Sequence, residues 1–292
     1  MKRAKKVFFY TFGCKVNQSE TEGLKDRWRG RGALPVSEVT RADVCIVNSC
    51  TVTARADEEC RQFVRRLLRR NRKAPVYVTG CYARRAAADL KALSPRVAVL
   101  LKEPPEGLLA SEPRRLSVSP PDPSSRSRPF VKIQDGCRAR CRYCIVPRVR
   151  PRLWNQTVSG VLRKCLSLSR DGYEEIVLTG IRLGLYRGVG PGNKRFDLVR
   201  LLERLLESPA RFRIRLSSLE VTEVTDPLIR LIQGSPRVCP HLHIPLQSAD
   251  DGVLREMGRW YRFRDYADRV ERLRERVPHC GVTADVLVGY PT

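Results

Sequence analysis

The chain has 292 residues, 42% of them apolar, and carries a formal net charge of +25 from 56 basic and 31 acidic side chains. No apolar run approaches the roughly 20 residues that a membrane-spanning helix needs, so we expect no membrane partner. The positive charge favours a polyanionic partner, although 45 of the 56 basic residues are arginine and a composition bias explains part of the excess.

Residues 1–110 alternate short apolar runs with amphipathic segments, which predicts an open, parallel α/β sheet domain. The predicted strands are Lys6–Phe12, Ala42–Asn48, Pro75–Thr79 and Val97–Leu101. The predicted helices are Glu20–Arg29, Ala56–Arg70 and Arg84–Leu93, and the second of them has a basic outer face. No credible export signal precedes the first strand, so we expect a cytoplasmic location.

Residues 111–128 are the predicted linker, because five prolines and six serines fall between Ser111 and Pro129 and leave little that can pack. A second α/β series follows over residues 129–292. Its predicted strands are Phe130–Gln134, Glu175–Leu178, Arg211–Leu216, His241–Pro245 and Thr283–Val288. Its predicted helices are Val158–Arg170, Leu198–Glu207, Pro227–Gln233 and Tyr266–Glu275. The series stops just past a strand, where a helix is expected, so we interpret it as truncated.

Eleven cysteines, an odd number, favour reduced thiols and metal ligation over disulfides. Cys137, Cys141 and Cys144 form a C-x3-C-x2-C triplet directly after a predicted strand. Three thiolates at this spacing can hold three irons of a cubane cluster and leave the fourth iron open to chelate S-adenosylmethionine. The alternative is a structural zinc ion, but zinc needs a fourth protein ligand, and the next candidates along the chain are Cys165 and His241.

Three further cysteines, Cys14, Cys50 and Cys81, are dispersed, but each lies just past the carboxyl end of a predicted parallel strand. Ligands bind at that edge of an open α/β sheet, so the three thiols are predicted to converge on a second open cluster. The alternative is that each is an incidental small apolar residue at a strand end. The remaining five cysteines are assigned to packing: Cys45, Cys60, Cys165, Cys239 and Cys280.

With both cysteine triplets, the chain resembles the methylthiotransferase family of radical-SAM enzymes over essentially its whole length. The segments Thr11–Glu22 and Val47–Thr53 look most like the branch that acts on threonylcarbamoyl-adenosine at tRNA position 37. The segments Ile176–Ile181 and His241–Ser248 are similar to that branch as well. The resemblance implies a partial (β/α)6 radical-SAM barrel for residues 129–292. It also implies that a sixth barrel strand and a C-terminal RNA-binding domain are absent from this chain.

The resemblance further implies two 4Fe-4S clusters and S-adenosylmethionine as cofactors. Cys137, Cys141 and Cys144 would hold the radical-SAM cluster. The auxiliary cluster, which presents sulfur, would be held by Cys14, Cys50 and Cys81. The implied reaction is methylthiolation of C2 of N6-threonylcarbamoyladenosine at position 37 in the tRNA anticodon loop, with the methyl group from a second S-adenosylmethionine. Four residues would lie near S-adenosylmethionine, with loop and barrel packing as the alternative: Tyr143, Thr179, Gly180 and Gln247.

The arginines Arg138, Arg140 and Arg142 either attract tRNA phosphates or offset the charge of the cluster. The chemistry requires a reductant, and we expect a monomer. Both cysteine trios are predicted to open onto one basic cleft, with the sulfurs of each trio roughly 6–7 Å apart. The alternatives are a methylthiotransferase acting on isopentenyl-adenosine tRNA or on a ribosomal protein, and a catalytically silent iron–sulfur or RNA-binding fragment.

Overall fold

The computed structural model describes residues 4–100 and 127–291 and divides the chain into two compact units, Met1–Asp122 and Pro123–Thr292. Most of the predicted linker, and Leu101 at the end of a predicted strand, lie outside the described residues. No helix in the described part of the chain is long and apolar enough to cross a membrane. Each unit has an apolar core of its own between helices and a sheet.

The described residues of the first unit form five strands: β1 Lys6–Thr11, β2 Leu34–Val36, β3 Val44–Ser49, β4 Val76–Gly80 and β5 Val97–Val99. They form one parallel sheet in the order β2-β1-β3-β4-β5. Its helices are α1 Lys15–Gly30, α2 Ala54–Arg70, α3 Cys81–Arg85 and α4 Ala87–Lys91. The predicted open parallel α/β sheet is therefore confirmed.

Strand β3 lies in the middle of this sheet, and all six of its residues are buried. Both of its faces are covered by helices, as is usual for parallel sheets. On one face Phe63 and Leu67 of α2 pack against the strands, and on the other face the fully buried Trp28 of α1 does so.

Three elements of the first unit differ from the prediction. Helix α1 begins at Lys15 rather than Glu20, because its first turns bury the polar residues Asn17 and Thr21 and so lack an apolar stripe. Strand β2 was not predicted, since it has three residues and includes a proline. The helix predicted over Arg84–Leu93 is two short helices, α3 and α4, separated at Ala86.

In the second unit, residues 127–291 form eight strands: β6 Phe130–Asp135, β7 Trp154–Asn155, β8 Glu175–Gly180, β9 Gly188–Val189, β10 Arg195–Phe196, β11 Arg213–Leu216, β12 His241–His243 and β13 Gly281–Thr283. Its helices are α5 Val146–Val149, α6 Val158–Arg170, α7 Leu198–Leu206, α8 Asp226–Gly234, α9 Asp251–Glu256 and α10 Phe263–Arg276. Helix α6 has the predicted bounds. The predicted strand Thr283–Val288 instead begins two residues earlier and ends at Thr283, with one isolated bridge at Val286.

The parallel strands of the second unit follow one another in chain order. Strands β6, β8 and β11 pair in parallel, and β12 pairs in parallel with β13. Isolated parallel bridges from Ile214 to Val238 and from Ser218 to His243 continue the series from β11 to β12. Successive parallel strands alternating with helices are the arrangement of an incomplete α/β barrel, as the resemblance implied.

Candidate metal and cofactor sites

Three free cysteines follow the strands of the first sheet. Cys14 is exposed and immediately precedes α1, Cys50 follows β3, and Cys81 is the first residue of α3 after β4. Because the three strands are parallel and adjacent, their carboxyl ends share one edge of the sheet. The structure therefore places all three predicted ligands of the auxiliary cluster at that edge.

Two glycines shape the chain directly before these cysteines. Gly13 and Gly80 have φ angles of 87° and 92°, which side chains rarely adopt. A Cβ atom on Gly13 would lie 2.7 Å from the Cβ and 2.8 Å from the Sγ of Cys50, so the loop before Cys14 packs directly onto Cys50. A Cβ atom on Gly80 would lie 2.3 Å from the backbone of β3, so the loop before Cys81 is equally close.

A buried polar network joins the strand ends to the start of α1. The Asn17 Nδ2 donates to the carbonyl oxygens of Phe12 and Ser49, at 3.1 and 2.9 Å. The Asn48 Nδ2 donates to the carbonyl oxygen of Asn17 at 2.8 Å and to the Thr21 hydroxyl at 3.1 Å. Since these groups are buried and hydrogen-bonded to one another, they hold the loops that carry Cys14 and Cys50 in one arrangement.

The electrostatics of this edge fit a metal cluster. Burial raises the pKa of the Cys50 thiol, the backbone amide of Val52 lowers it, and the neighbouring Cys14 thiol raises it again. Two thiols that oppose each other's ionisation become thiolates together when a cationic centre binds between them. Cys14 is exposed, whereas Cys50 and Cys81 are buried; when deprotonated, three such sulfurs are the donor set that an iron–sulfur cluster uses.

The second trio lies in the loop between β6 and α5. Cys137, Cys141 and Cys144 are all partly exposed free thiols. Burial raises the pKa of Cys144, and the thiols of Cys141 and Cys137 raise it further, which shows that the three are electrostatic neighbours. The loop turns back on itself through a hydrogen bond of 3.1 Å from the Cys144 amide to the Cys141 carbonyl.

This loop is anchored at its first cysteine. Gly136, directly before Cys137, has a φ of 83°, and a Cβ atom there would lie 2.2 Å from the carbonyl oxygen of Arg152. The buried guanidinium of Arg150 forms an ion pair of 2.9 Å with Asp135. The Cys137 amide in turn donates to the Arg150 carbonyl at 3.3 Å. The start of the loop therefore has a fixed backbone, and all three glycine–cysteine pairs Gly13–Cys14, Gly80–Cys81 and Gly136–Cys137 use a left-handed glycine.

Neither trio is arranged to bind a single ion. Over residues 4–100 and 127–291, no group of three His, Cys, Asp or Glu side chains is close enough to share one metal ion. Ligands of a zinc ion all contact the same atom, whereas the thiolates of a cubane each bind a different iron and lie farther apart. The predicted sulfur separation within each trio remains a prediction.

A buried arginine that the sequence did not single out contacts the second trio. The Arg259 Nη1 donates to the Sγ of Cys141 at 3.2 Å and to the Tyr143 hydroxyl at 3.5 Å, and its Nη2 forms an ion pair with Glu220. The Arg259 side chain is 2% exposed. Burial is the largest single influence and lowers the pKa of Arg259, but Glu220, Tyr261, Tyr143 and Cys141 together outweigh burial and the pKa is raised. Burial raises the pKa of Glu220, so the surroundings of the pair disfavour the charged carboxylate.

Of the four residues predicted to lie near S-adenosylmethionine, two are linked to the cysteine loop. Tyr143 is hydrogen-bonded to Arg259 as described above. A Cβ atom on Gly180 would lie 2.9 Å from Gln134, whose Nε2 donates to the carbonyl of Gly136 beside Cys137 at 2.7 Å.

The other two lie elsewhere in the strand series. Thr179 is buried near the end of β8. Gln247 follows β12 and bonds through its backbone to Asp285 and Leu287, at 2.9 and 2.8 Å. Gln247 also has a φ of 69°, which is uncommon for a residue other than glycine.

The five cysteines assigned to packing are buried, which confirms that prediction. Each is 7% exposed or less: Cys45, Cys60, Cys165, Cys239 and Cys280. Burial raises the pKa of Cys45 to about 11 and that of Cys60 and Cys165 to about 12. These three thiols therefore remain protonated at neutral pH.

Comparisons with known proteins place both parts of the chain in known families. Residues 6–102 match the Uncharacterized protein family UPF0004, and residues 131–292 match the Radical SAM superfamily. The threonylcarbamoyladenosine tRNA methylthiotransferases MtaB of Bacillus subtilis (strain 168) and of Thermotoga maritima are 35% and 32% identical to this chain. Each alignment covers 98% of this chain, and 67% and 68% of those relatives. The tRNA-2-methylthio-N(6)-dimethylallyladenosine synthase of Dictyoglomus thermophilum is 31% identical over 98% of this chain and 69% of its own length.

Two solved structures share the fold. The cobalamin-dependent S-adenosylmethionine radical enzyme OxsB has a TM-score of 0.60 at 10% identity, over 97% of this chain and 49% of that one. The radical S-adenosylmethionine methyltransferase TsrM from Kitasatospora setae has a TM-score of 0.56 at 14% identity, over 97% and 67%. The fold and the cysteine loop thus define a radical-SAM enzyme. From its curated relatives, the chain belongs to the radical-SAM methylthiotransferase family.

Proposed function

We propose that this chain methylthiolates C2 of N6-threonylcarbamoyladenosine at position 37 of tRNA. The observation that carries the proposal is the pair of cysteine trios, each held by left-handed glycines at the carboxyl ends of parallel strands, in a member of the methylthiotransferase family. The relatives named for threonylcarbamoyladenosine are 32–35% identical, and those named for dimethylallyladenosine are 28–31% identical. This difference favours the threonylcarbamoyl substrate.

The roles of the residues follow from their positions. Cys137, Cys141 and Cys144 hold the radical-SAM cluster. Cys14, Cys50 and Cys81 hold an auxiliary 4Fe-4S cluster that is the source of the sulfur. When bound, the clusters and S-adenosylmethionine supply an electron, a radical that can remove an inert aromatic hydrogen, the sulfur and the methyl group. A reductant delivers the electron, and the protein acts in the cytoplasm, where its tRNA substrate is found.

The chain's own groups bind and orient the substrates. We assign Tyr143 and Gly180 to the side of the S-adenosylmethionine site that adjoins the cysteine loop, since both are linked to that loop. We assign Thr179 and Gln247 to the same site from the strand series. The left-handed backbone of Gln247 supports a binding role, because strained residues persist where the surroundings require one conformation.

Iron content tests the two sites independently. After anaerobic reconstitution the chain is expected to bind two four-iron clusters. A variant with Cys137, Cys141 and Cys144 replaced by alanine is expected to keep half of the iron and to form no deoxyadenosine from S-adenosylmethionine. The buried Cys280 provides a matched control, since Cys280→Ala leaves iron and cleavage unchanged. Cleavage that survives the triple replacement contradicts the assignment.

The auxiliary trio is separable from radical formation. Replacement of Cys14, Cys50 and Cys81 by alanine is expected to leave deoxyadenosine formation intact and to stop methylthiolation. Mass spectrometry of tRNA nucleosides measures the product directly and distinguishes threonylcarbamoyl-adenosine from isopentenyl-adenosine as the substrate. Methylthiolation that continues without the trio rules out the auxiliary cluster as the source of the sulfur.

A further inference from the structure

An open groove lies between β1 and α2 of the first unit. It has a volume of about 400 Å³. Tyr10 and Phe12 line it from β1 and its continuation, and Phe63, Arg66 and Arg69 are among the residues that line it from α2. The ring of Tyr10 stacks on Phe63 with centroids 4.0 Å apart, and the guanidinium of Arg66 lies over Phe63 at 4.9 Å. Tyr10 is 39% exposed, so an aromatic ring remains open to a ligand.

Charge along α2 is unevenly neutralised. In its first half each carboxylate has an arginine partner: Asp57 with Arg85, Glu58 with Arg61, and Glu59 with Arg55. In its last two turns Arg65 lies 4.0 Å from Glu58, whereas Arg66, Arg69 and Arg70 have no carboxylate partner in the described part of the chain. Within residues 4–100 and 127–291, no carboxylate pairs with the exposed residues Arg66, Arg69, Arg70, Arg72 and Lys73.

The spacing of these cations places them beside the groove. Arg66, Arg69 and Arg70 are three and four residues apart, so they share one face of the helix. Arg66 and Arg69 themselves line the groove. An unneutralised row of guanidiniums beside exposed aromatic rings suits a single-stranded nucleic acid, because the cations contact phosphates and the rings stack on bases. An acidic protein would match the charge but would make no particular use of the rings.

The groove adjoins the edge that carries the auxiliary cysteines. Phe12 is two residues before Cys14, so their Cα atoms are at most about 7.6 Å apart. A nucleotide held in the groove therefore lies close to the strand end at which sulfur would be presented. This proximity matches a nucleotide next to the modified one in the same RNA loop.

We propose that this groove and its arginine rim bind a single-stranded part of the tRNA substrate and hold a nucleotide that flanks the modified adenosine. The inference rests on the proposed tRNA substrate and adds a binding site in the first unit. The phosphates lie along Arg66, Arg69 and Arg70, and the base lies against Tyr10.

The test is binding of a fluorescently labelled anticodon stem–loop RNA to the reconstituted full chain, measured by anisotropy over a range of salt concentrations. The variant Arg66→Gln, Arg69→Gln and Arg70→Gln is expected to bind more weakly and to reduce the slope of log affinity against log salt by about 2, from about 0.7 per lost phosphate contact. The matched control removes three exposed arginines of the second unit: Arg230→Gln, Arg274→Gln and Arg276→Gln. It has the same net charge as the test variant and is expected to keep most of the slope.

Tyr10 separates stacking from charge. Tyr10→Leu keeps an apolar side chain against Phe63 and is expected to weaken binding about 5- to 150-fold without changing the salt slope, because stacking on an aromatic side chain contributes about 1–3 kcal/mol per base. Tyr10→Phe is expected to bind as the wild type does. Equal losses in the test and control triple variants, or unchanged binding in both the test triple and Tyr10→Leu, overturn the proposal. Failure of the wild type itself to bind the RNA contradicts the proposed function instead.

Discussion

The buried ion pair between Arg259 and Glu220 gives the sharpest test of the cysteine-loop geometry. The side chain of Arg259 is 2% exposed and that of Glu220 is 16% exposed, so neither charge is well solvated. Replacing Arg259 by methionine keeps a side chain of similar length against Trp260 and Tyr261, whose rings lie 4.6 and 5.0 Å from the guanidinium carbon. The change therefore removes the charge while leaving much of the packing in place.

The expected cost has an upper bound set by protonation of Glu220. Breaking a buried pair by removing one partner costs about 3–5 kcal/mol. An unpaired Glu220 can instead bind a proton. Protonating a carboxyl group with the ordinary pKa of 4.5 costs about 4 kcal/mol at about pH 7.5, because each pH unit above the pKa costs about 1.4 kcal/mol. We therefore expect Arg259→Met to lower the free energy of unfolding by about 3–4 kcal/mol at about pH 7.5, and by only about 1–2 kcal/mol at about pH 5.5.

The assay is urea unfolding of the reduced, iron-free full chain, followed by hydrogen exchange of amides in β8 and β11. The double variant Arg259→Met with Glu220→Gln removes both charges and is expected to recover at least half of the loss. Arg142→Met is the matched control, because its ion pair with Glu256 also adjoins the cysteine loop but is exposed, and such pairs contribute about 0–1 kcal/mol. A pH-independent loss, or a loss in Arg142→Met as large as in Arg259→Met, would refute the reasoning.

Three other substitutions have defined outcomes. Gly80→Ala places a Cβ atom 2.3 Å from the backbone of β3 at a left-handed φ. We therefore expect the free energy of unfolding to fall by about 2–4 kcal/mol and the iron at the auxiliary site to fall below half of the wild-type value. Full iron loading would contradict this. Asn48→Leu removes the amide group that donates to the Thr21 hydroxyl and the Asn17 carbonyl. We expect it to lower the free energy of unfolding by about 1–3 kcal/mol, measured by thermal unfolding. Asn48→Asp is expected to cost less than this below about pH 4. Arg215 lowers the pKa of Glu175 to about 2, so the stability that Glu175 contributes is present above pH 4.5 and lost as the pH falls towards 2. Glu175→Gln is therefore expected to cost about 1–2 kcal/mol at about pH 7, discounted for partial solvent screening, and nearly nothing at about pH 2.5; a constant cost would exclude the ion pair as its source.

The positions of the two cysteine trios could be predicted from the sequence because they depend on local pattern. Each of Cys14, Cys50 and Cys81 follows an apolar run that forms a strand, and parallel strands end at one edge whatever the details of packing. The thiols of the triplet from Cys137 to Cys144 are even more constrained, since three thiols within eight residues cannot lie far apart. The burial of Cys45 and Cys165 followed from their places inside predicted elements for the same reason.

The elements that the sequence did not predict are those whose cause lies in tertiary contacts. Helix α1 begins at Lys15 because Asn17 is paired with the backbone of β3, and a buried polar residue gives no amphipathic signal. Strand β2 exists only because β1 offers a pairing edge. Elements of this kind can be predicted only when the position of the neighbouring strand is known.

The contact that only the folded chain decided is the one between Arg259 and the cysteine loop. Arg259 is separated from Cys141 by 118 residues and from Glu220 by 39, and it is one of 45 arginines with no local feature to distinguish it. The strand-by-strand order of the second unit brings these three residues together. The cysteine spacing determined which chemistry the loop can support. The buried charge beside the loop arises from packing, because a buried charged group is stabilised by partners that are near in space, whatever their positions along the chain.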